Sequence, residues 1–120
     1  MEICLIGCGK MGTALLAGWQ QDSQLKASFT VIDPALNGSP DHKATRYLHQ
    51  PSDLETLYQP DLVVLAVKPQ TMASVLADLS GLGDETTCFL SIAAGLSTAR
   101  LAVQLGRSAR WLRVMPNTPA

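Results

Sequence analysis

Five short segments of this chain hold the residue types that bind phosphate, sugar hydroxyls and flat heterocycles. Gly7-Cys8-Gly9-Lys10-Met11-Gly12 supplies G-x-G-x-x-G directly after the apolar run Ile3-Cys4-Leu5-Ile6. In a dinucleotide-binding loop the first glycine permits a tight strand-to-helix turn. The second lets a pyrophosphate approach the backbone, and the third lets helix and strand pack closely. The phosphates then meet the unpaired N–H groups and the positive dipole end of the following helix. A bare glycine pattern is weak, but strand, loop and the helical periodicity of Thr13 to Trp19 are its confirming context. The competing reading is a glycine-rich turn in an unrelated α/β protein.

Asp33 follows the apolar run Phe29-Thr30-Val31-Ile32 and lies about 20 residues beyond the last loop glycine, where the fingerprint places an acid on the adenine ribose. A carboxylate there accepts from the 2′- and 3′-hydroxyls and repels a 2′-phosphate, which favours NAD(H) over NADP(H). The alternative is an aspartate before Pro34 that caps a turn. Lys43 and Arg46 stand close enough in sequence to reach a 2′-phosphate, so the preference stays open. Ala66-Val67-Lys68-Pro69 ends another apolar run; Lys68 is suited to cofactor phosphates or an acidic substrate, or is simply solvated. Ala93-Ala94-Gly95 is small enough for a nicotinamide ring to lie against its backbone, or for close strand–helix packing. Met115-Pro116-Asn117-Thr118 offers an amide, a hydroxyl and free backbone groups.

Other chemistry finds little support. His42 and His49 sit in a polar stretch with no partner in view, which makes them surface residues rather than catalysts. The three cysteines, Cys4, Cys8 and Cys88, lack any metal or redox spacing; Cys4 and Cys88 lie in apolar runs, where a free thiol behaves as a small hydrophobe. Such usage suits a reducing cytoplasm. No Ser/His/Asp or Cys/His arrangement and no carboxylate pair suggests itself, so cofactor binding is the visible chemistry.

The elements that must position these segments alternate. Strands are expected near 2–6, 29–32, 44–48, 62–67, 87–92 and 111–115. Helices are expected near 10–21, 52–58 (with Ser52 opening a capping box), 70–79 and from Ser97 to about Leu105. The continuous run Leu62-Val63-Val64-Leu65-Ala66-Val67 suits a strand covered on both faces. Six strands with intervening helices predict a doubly wound, Rossmann-like, mostly parallel sheet with helices on both faces and order 3-2-1-4-5-6. Ligands of such sheets bind outside the carboxyl ends of the strands, so the five segments are expected to converge on one crevice.

Composition agrees. The 120 residues are 47% hydrophobic and 16% charged with a net charge of −1, an ordinary balance for one globular domain. No basic excess suggests nucleic acid or a membrane surface, and no apolar run approaches the length of a bilayer span. Glu2 runs directly into the first expected strand, so no secretory signal is expected here.

Taken together these residues resemble the N-terminal part of pyrroline-5-carboxylate reductase. Four blocks carry the resemblance, in family order: Ile6 to Gly12, Ala66 to Gln70, Ser91 to Gly95, and Arg113-Val114-Met115-Pro116-Asn117-Thr118-Pro119-Ala120, the last being the most specific. The resemblance implies NADP or NAD as cofactor and hydride transfer to the imine of 1-pyrroline-5-carboxylate, giving L-proline. It places the pyrophosphate on Gly7 to Gly12 and the adenosine and ribose against Ala66 to Pro69. The nicotinamide falls near Ala93 to Gly95 and Met115-Pro116-Asn117. Many members carry a polar or basic segment where this chain has Asp33-Pro34. The family also continues after Asn-Thr-Pro-Ala into a helical domain that dimerises and binds substrate. Residues 1–120 are therefore expected to be the cofactor domain alone, with little or no turnover. Alternatives are another NAD(P)-dependent reductase sharing this domain, such as a deazaflavin-dependent NADP reductase, which the ending argues against, or a non-catalytic dinucleotide sensor.

Overall fold

A computed structural model describes residues 1–22, 24–35, 45–93, 95–106 and 109–114. Six strands appear in chain order: β1 (Glu2–Ile6), β2 (Ser28–Ile32), β3 (Thr45–Leu48), β4 (Leu62–Leu65), β5 (Cys88–Ser91) and β6 (Arg110–Arg113). They form one sheet of order β3-β2-β1-β4-β5-β6, and every neighbouring pair is parallel. This is the expected doubly wound arrangement.

Three α-helices cover the sheet: α1 (Lys10–Gln21), α2 (Met72–Asp78) and α3 (Thr98–Leu105). Their sides follow from crossover handedness. The chain moves outward one way from β1 to β2 and the other way from β4 to β5 and β6, so right-handed crossovers fall on opposite faces. Alternation along the central strands supplies apolar residues to both. Ile3, Leu5, Phe29, Val31 and Val64 pack beneath Leu16 of α1, where Trp19 stacks on Phe29 with ring centroids 6.2 Å apart. Cys4, Ile6, Val63, Leu65 and Phe89 face the other way, against Met72 and Leu76 of α2 and Leu101 and Leu105 of α3. The Ser97 hydroxyl caps α3 by accepting from the Arg100 N–H at 3.2 Å, as its sequence position suggested.

Several expected elements are shorter than predicted. β4 stops at Leu65: the Ala66 N–H still bonds the Ile6 carbonyl at 2.8 Å, but the backbone then turns away towards Pro69. That proline opens a 3-10 turn (Pro69–Thr71) ahead of α2, so the expected helix over 70–79 begins as a tighter turn. The helix expected over 52–58 reduces to one 3-10 turn, Pro51–Asp53, capped reciprocally by Gln50 and Asp53 rather than by Ser52 and Glu55. Proline at its first position favours that earlier start, and Glu55 is drawn instead into an ion pair with Arg46.

At the amino end of the sheet the Glu2 carboxylate accepts from the hydroxyls of Ser28 (2.6 Å), Thr30 (2.7 Å) and Tyr58. This ties β1 and β2 to the β3–β4 connection. Cys4 is fully buried beside it, and burial pushes its thiol up to about 12. Burial thus disfavours the thiolate, the reactive form. Iodoacetamide at about pH 8 is therefore expected to alkylate the part-buried Cys8 and Cys88 while Cys4 stays unmodified until denaturant is added. Peptide mass mapping checks this, and early labelling of Cys4 would contradict its core position.

Candidate dinucleotide-binding site

A cleft of about 600 Å³ opens at the carboxyl ends of β1, β2 and β4, within the size range of small-molecule sites. It lies where the strand order reverses between β1 and β4. There the two following loops leave towards opposite faces, and the backbone groups at the strand ends face open space.

The glycine loop forms the cleft floor. Gly7 adopts φ +92° and its N–H bonds the Ile32 carbonyl at 2.9 Å. A Cβ there would lie 2.9 Å from the Ala66 carbonyl oxygen, so the loop presses directly on the end of β4. A Cβ on Gly12 would come within 2.4 Å of the Gly7 carbonyl oxygen, which holds the first turn of α1 against its own entry strand. Gly9 differs: a Cβ there would meet no atom within 4 Å. It is the N-cap of α1, whose first turn has neither a side-chain cap nor an acidic residue. Open space therefore adjoins amide donors and the positive end of the helix dipole. A phosphate-sized anion fits that combination.

Asp33 closes one wall. Its Oδ2 accepts the Cys8 backbone N–H at 2.7 Å, and its Oδ1 accepts the Ala35 N–H at 2.9 Å. The turn-capping alternative thus holds for Asp33, with a second tie, to the glycine loop, that spacing did not suggest. Pro34 and Ala35 continue that wall, and Ala66, Val67 and Lys68 form the wall at the end of β4. Lys68 is exposed, and its carbonyl accepts the Thr71 hydroxyl at 2.9 Å.

Arg46 requires a correction. It stands on β3 level with Thr30, near the amino ends of the strands. There it pairs with Glu55 and lies over the Tyr58 ring, 5.5 Å from its centroid. The pairing holds the Glu55 carboxyl below the usual carboxylate range. Arg46 stands lower on the strands than the cleft, tied to Glu55, and is not among the residues that line it.

Convergence of the five segments is incomplete among the described residues. Ala93 is 5% exposed and packs in the core, its N–H on the Ser91 hydroxyl at 3.2 Å; for this residue the close-packing alternative describes the side chain. Gly95 is exposed with φ +78°. Ala94, Lys43, His42 and the segment Met115-Pro116-Asn117 lie outside the described residues. Conversely, the cleft wall includes residues the sequence did not single out for it. His49, Gln50 and Pro51 follow β3, and Thr71, Val75 and Asp78 lie on and just ahead of α2. His49 is exposed, as expected of a surface residue, yet it borders the cleft. The signal for it was the weak strand over 44–48: once that strand joins a parallel sheet, the residues after it fall at the carboxyl edge. Among the described residues no group of His, Cys, Asp and Glu could hold a metal ion, and no helix is long and apolar enough to cross a membrane.

Comparison with known proteins agrees with this geometry. The chain is 36% identical over 127 aligned residues to pyrroline-5-carboxylate reductase of Escherichia coli (strain K12), covering 99% of this chain and 45% of that protein. Among solved structures, a pyrroline-5-carboxylate reductase from Coxiella burnetii superposes with a TM-score of 0.78 at 29% identity over 98% of this chain and 44% of that one. The 1-pyrroline-5-carboxylate reductase of Streptococcus pyogenes gives 0.69 at 31% identity, covering 98% and 43%. The chain thus spans less than half the length of the relatives it matches. A family model described as NADP oxidoreductase coenzyme F420-dependent matches residues 2–95, from the first strand through the fifth, and the chain belongs to that oxidoreductase family.

Proposed function

We propose that this chain is the cofactor-binding part of an NAD(P)H-dependent pyrroline-5-carboxylate reductase. The observation that carries the dinucleotide reading is the open space over Gly9 beside the uncapped first turn of α1. The substrate assignment draws on the 36% identity to a reductase of that name across nearly the whole chain.

In this reading the loop Ile6 to Gly12, with Cys8, Lys10 and Met11 as its variable members, holds the pyrophosphate on first-turn amides. Asp33 and Pro34 border the adenine ribose, and Ala66 to Pro69 line the adenosine side. The family resemblance assigns the nicotinamide side to Ala93, Ala94 and Gly95 and to Met115, Pro116 and Asn117, of which only Ala93 and Gly95 are among the described residues. When bound, the dinucleotide supplies a hydride for the imine carbon of 1-pyrroline-5-carboxylate, whose nitrogen takes up a proton to give L-proline. This chain's residues bind and orient the cofactor. None of its described residues is assigned as the proton donor. Orientation and proton transfer make up much of the acceleration of such a reaction.

Two measurements test the reading. Calorimetric titration of the 120-residue chain with NADH and NADPH is expected to show binding of at least one. An assay for proline formation by the same chain is expected to give no turnover above the uncatalysed rate. Absence of binding by both dinucleotides would refute the cofactor assignment, and measurable proline formation would refute the division of labour.

A further inference from the structure

The geometry points to Asp33 as the residue that positions the phosphate-binding loop, in addition to any contact with a ribose. The inference rests on the dinucleotide reading of the cleft. Its two carboxylate oxygens are each engaged by backbone. Oδ2 takes the Cys8 N–H from inside the glycine loop at 2.7 Å, and Oδ1 takes the Ala35 N–H at 2.9 Å. The first bond spans 25 residues and joins the end of β2 to the loop after β1. It acts beside the Gly7 N–H to Ile32 carbonyl bond at 2.9 Å, so two adjacent loop amides are anchored to β2 and its end. Those two bonds set the plane in which the loop enters α1, and with it the direction of the first-turn amides.

Two consequences follow. The Cys8 N–H is already committed, so the pyrophosphate takes its donors from the first turn of α1, where no side chain competes. Each carboxylate oxygen also keeps a lone pair for a ribose hydroxyl, so one side chain orders both the phosphate and the sugar subsites. Asparagine cannot replace it. An amide side chain offers one acceptor oxygen, and its NH2 would confront whichever backbone N–H is left. Relieving repulsion towards a 2′-phosphate by neutralising Asp33 therefore loosens the loop at the same stroke.

The probe that isolates this role is 2′,3′-dideoxy-ADP, which keeps the pyrophosphate and lacks both hydroxyls that a ribose contact needs. Asp33→Asn and Asp33→Glu are compared with the unaltered chain by calorimetry with this nucleotide. Cys8 amide hydrogen exchange is followed by NMR without ligand, and protection of the Val63 and Val64 amides confirms the fold. The proposal expects Cys8 exchange to accelerate about tenfold or more in both variants, the order expected for loss of a charge-assisted bond. It expects dideoxy-ADP affinity to fall by a similar factor. A role through charge alone predicts the opposite sign, because Asp33→Asn removes an anion near an anionic ligand and tightens binding. A role through the ribose alone predicts no change for dideoxy-ADP while ADP weakens. Either of those results overturns the proposal, as does unchanged Cys8 exchange. If the unaltered chain binds neither ADP nor NADH, the dinucleotide reading itself fails; the Asp33 tie to the loop is still decided by Cys8 exchange.

Discussion

Alanine at Gly12 is expected to unfold this domain's cofactor site, whereas alanine at Gly9 leaves the fold standing and impairs only binding. The contrast comes from what each new methyl group would meet. At Gly12 it would sit 2.4 Å from the Gly7 carbonyl oxygen, well inside contact distance of the backbone, with the Ala66 Cβ at 3.6 Å beside it. Backbone cannot rotate away as a side chain can, so α1 must slide off the end of β1. That in turn disturbs Leu16 and the apolar cluster beneath the helix. Overpacking of this kind costs about 3 kcal/mol or more, and a domain of this size loses roughly 10 °C of melting temperature for it. NADH binding should fall below detection. At Gly9 the methyl group projects into open space, so the fold should lose no more than about 1 kcal/mol, chiefly from a poorer N-cap. The same methyl group occupies the approach path of a pyrophosphate, and NADH affinity should drop about tenfold or more. Urea unfolding and calorimetry on both variants check the pair. A Gly9→Ala chain that binds NADH normally would remove the phosphate from this loop.

The second large effect is the choice between the two dinucleotides. NADH is expected to bind about tenfold or more tightly than NADPH at moderate salt. A 2′-phosphate on the adenine ribose would approach the Asp33 carboxylate, which the Cys8 and Ala35 amides hold in place. Repulsion between such groups at a part-exposed site is of order 1–3 kcal/mol and shrinks with ionic strength. The counterweight that the sequence allowed, Arg46, is paired with Glu55 near the amino ends of the strands. Lys68 lies at the end of β4, two strand spacings or about 10 Å from the end of β2. Parallel titrations at low and high salt test this. The NADH preference should narrow as salt rises, and tighter binding of NADPH would mean that a cation outside the described cleft wall reaches the phosphate.

Much of the fold was legible because its signals are local. The run Ile3 to Ile6 passing into a glycine loop, and the continuous apolar run from Leu62, report strands covered on both faces. Alternation with helical stretches then leaves parallel order as the economical arrangement. Helix ends with side-chain caps, such as Ser97 before α3, were equally plain. The ends of β4 and α2 and the turn at Pro51 were not. They depend on where the backbone turns: Pro69 opens a 3-10 turn between β4 and α2, and Glu55 is taken by Arg46 instead of capping a helix.

The site divides in the same way. Sequence alone determined the strand–loop–helix phosphate motif, the acid at the end of β2 and the family resemblance. Each is a matter of residue type at a short, fixed spacing. Only the tertiary structure decided that Arg46 is held by Glu55 near the amino ends of the strands, that Ala93 packs in the core, that His49 and Pro51 border the cleft, and that Asp33 grips the Cys8 amide. Those facts depend on strand register and on which side of the sheet each side chain projects. A shift of one residue in a strand reverses that side. Spacing along the chain brings Asp33 near the loop in principle. The pairing of β1 with β2, from Glu2 on Ser28 to Ile6 on Ile32, is what sets the carboxylate 2.7 Å from a backbone donor.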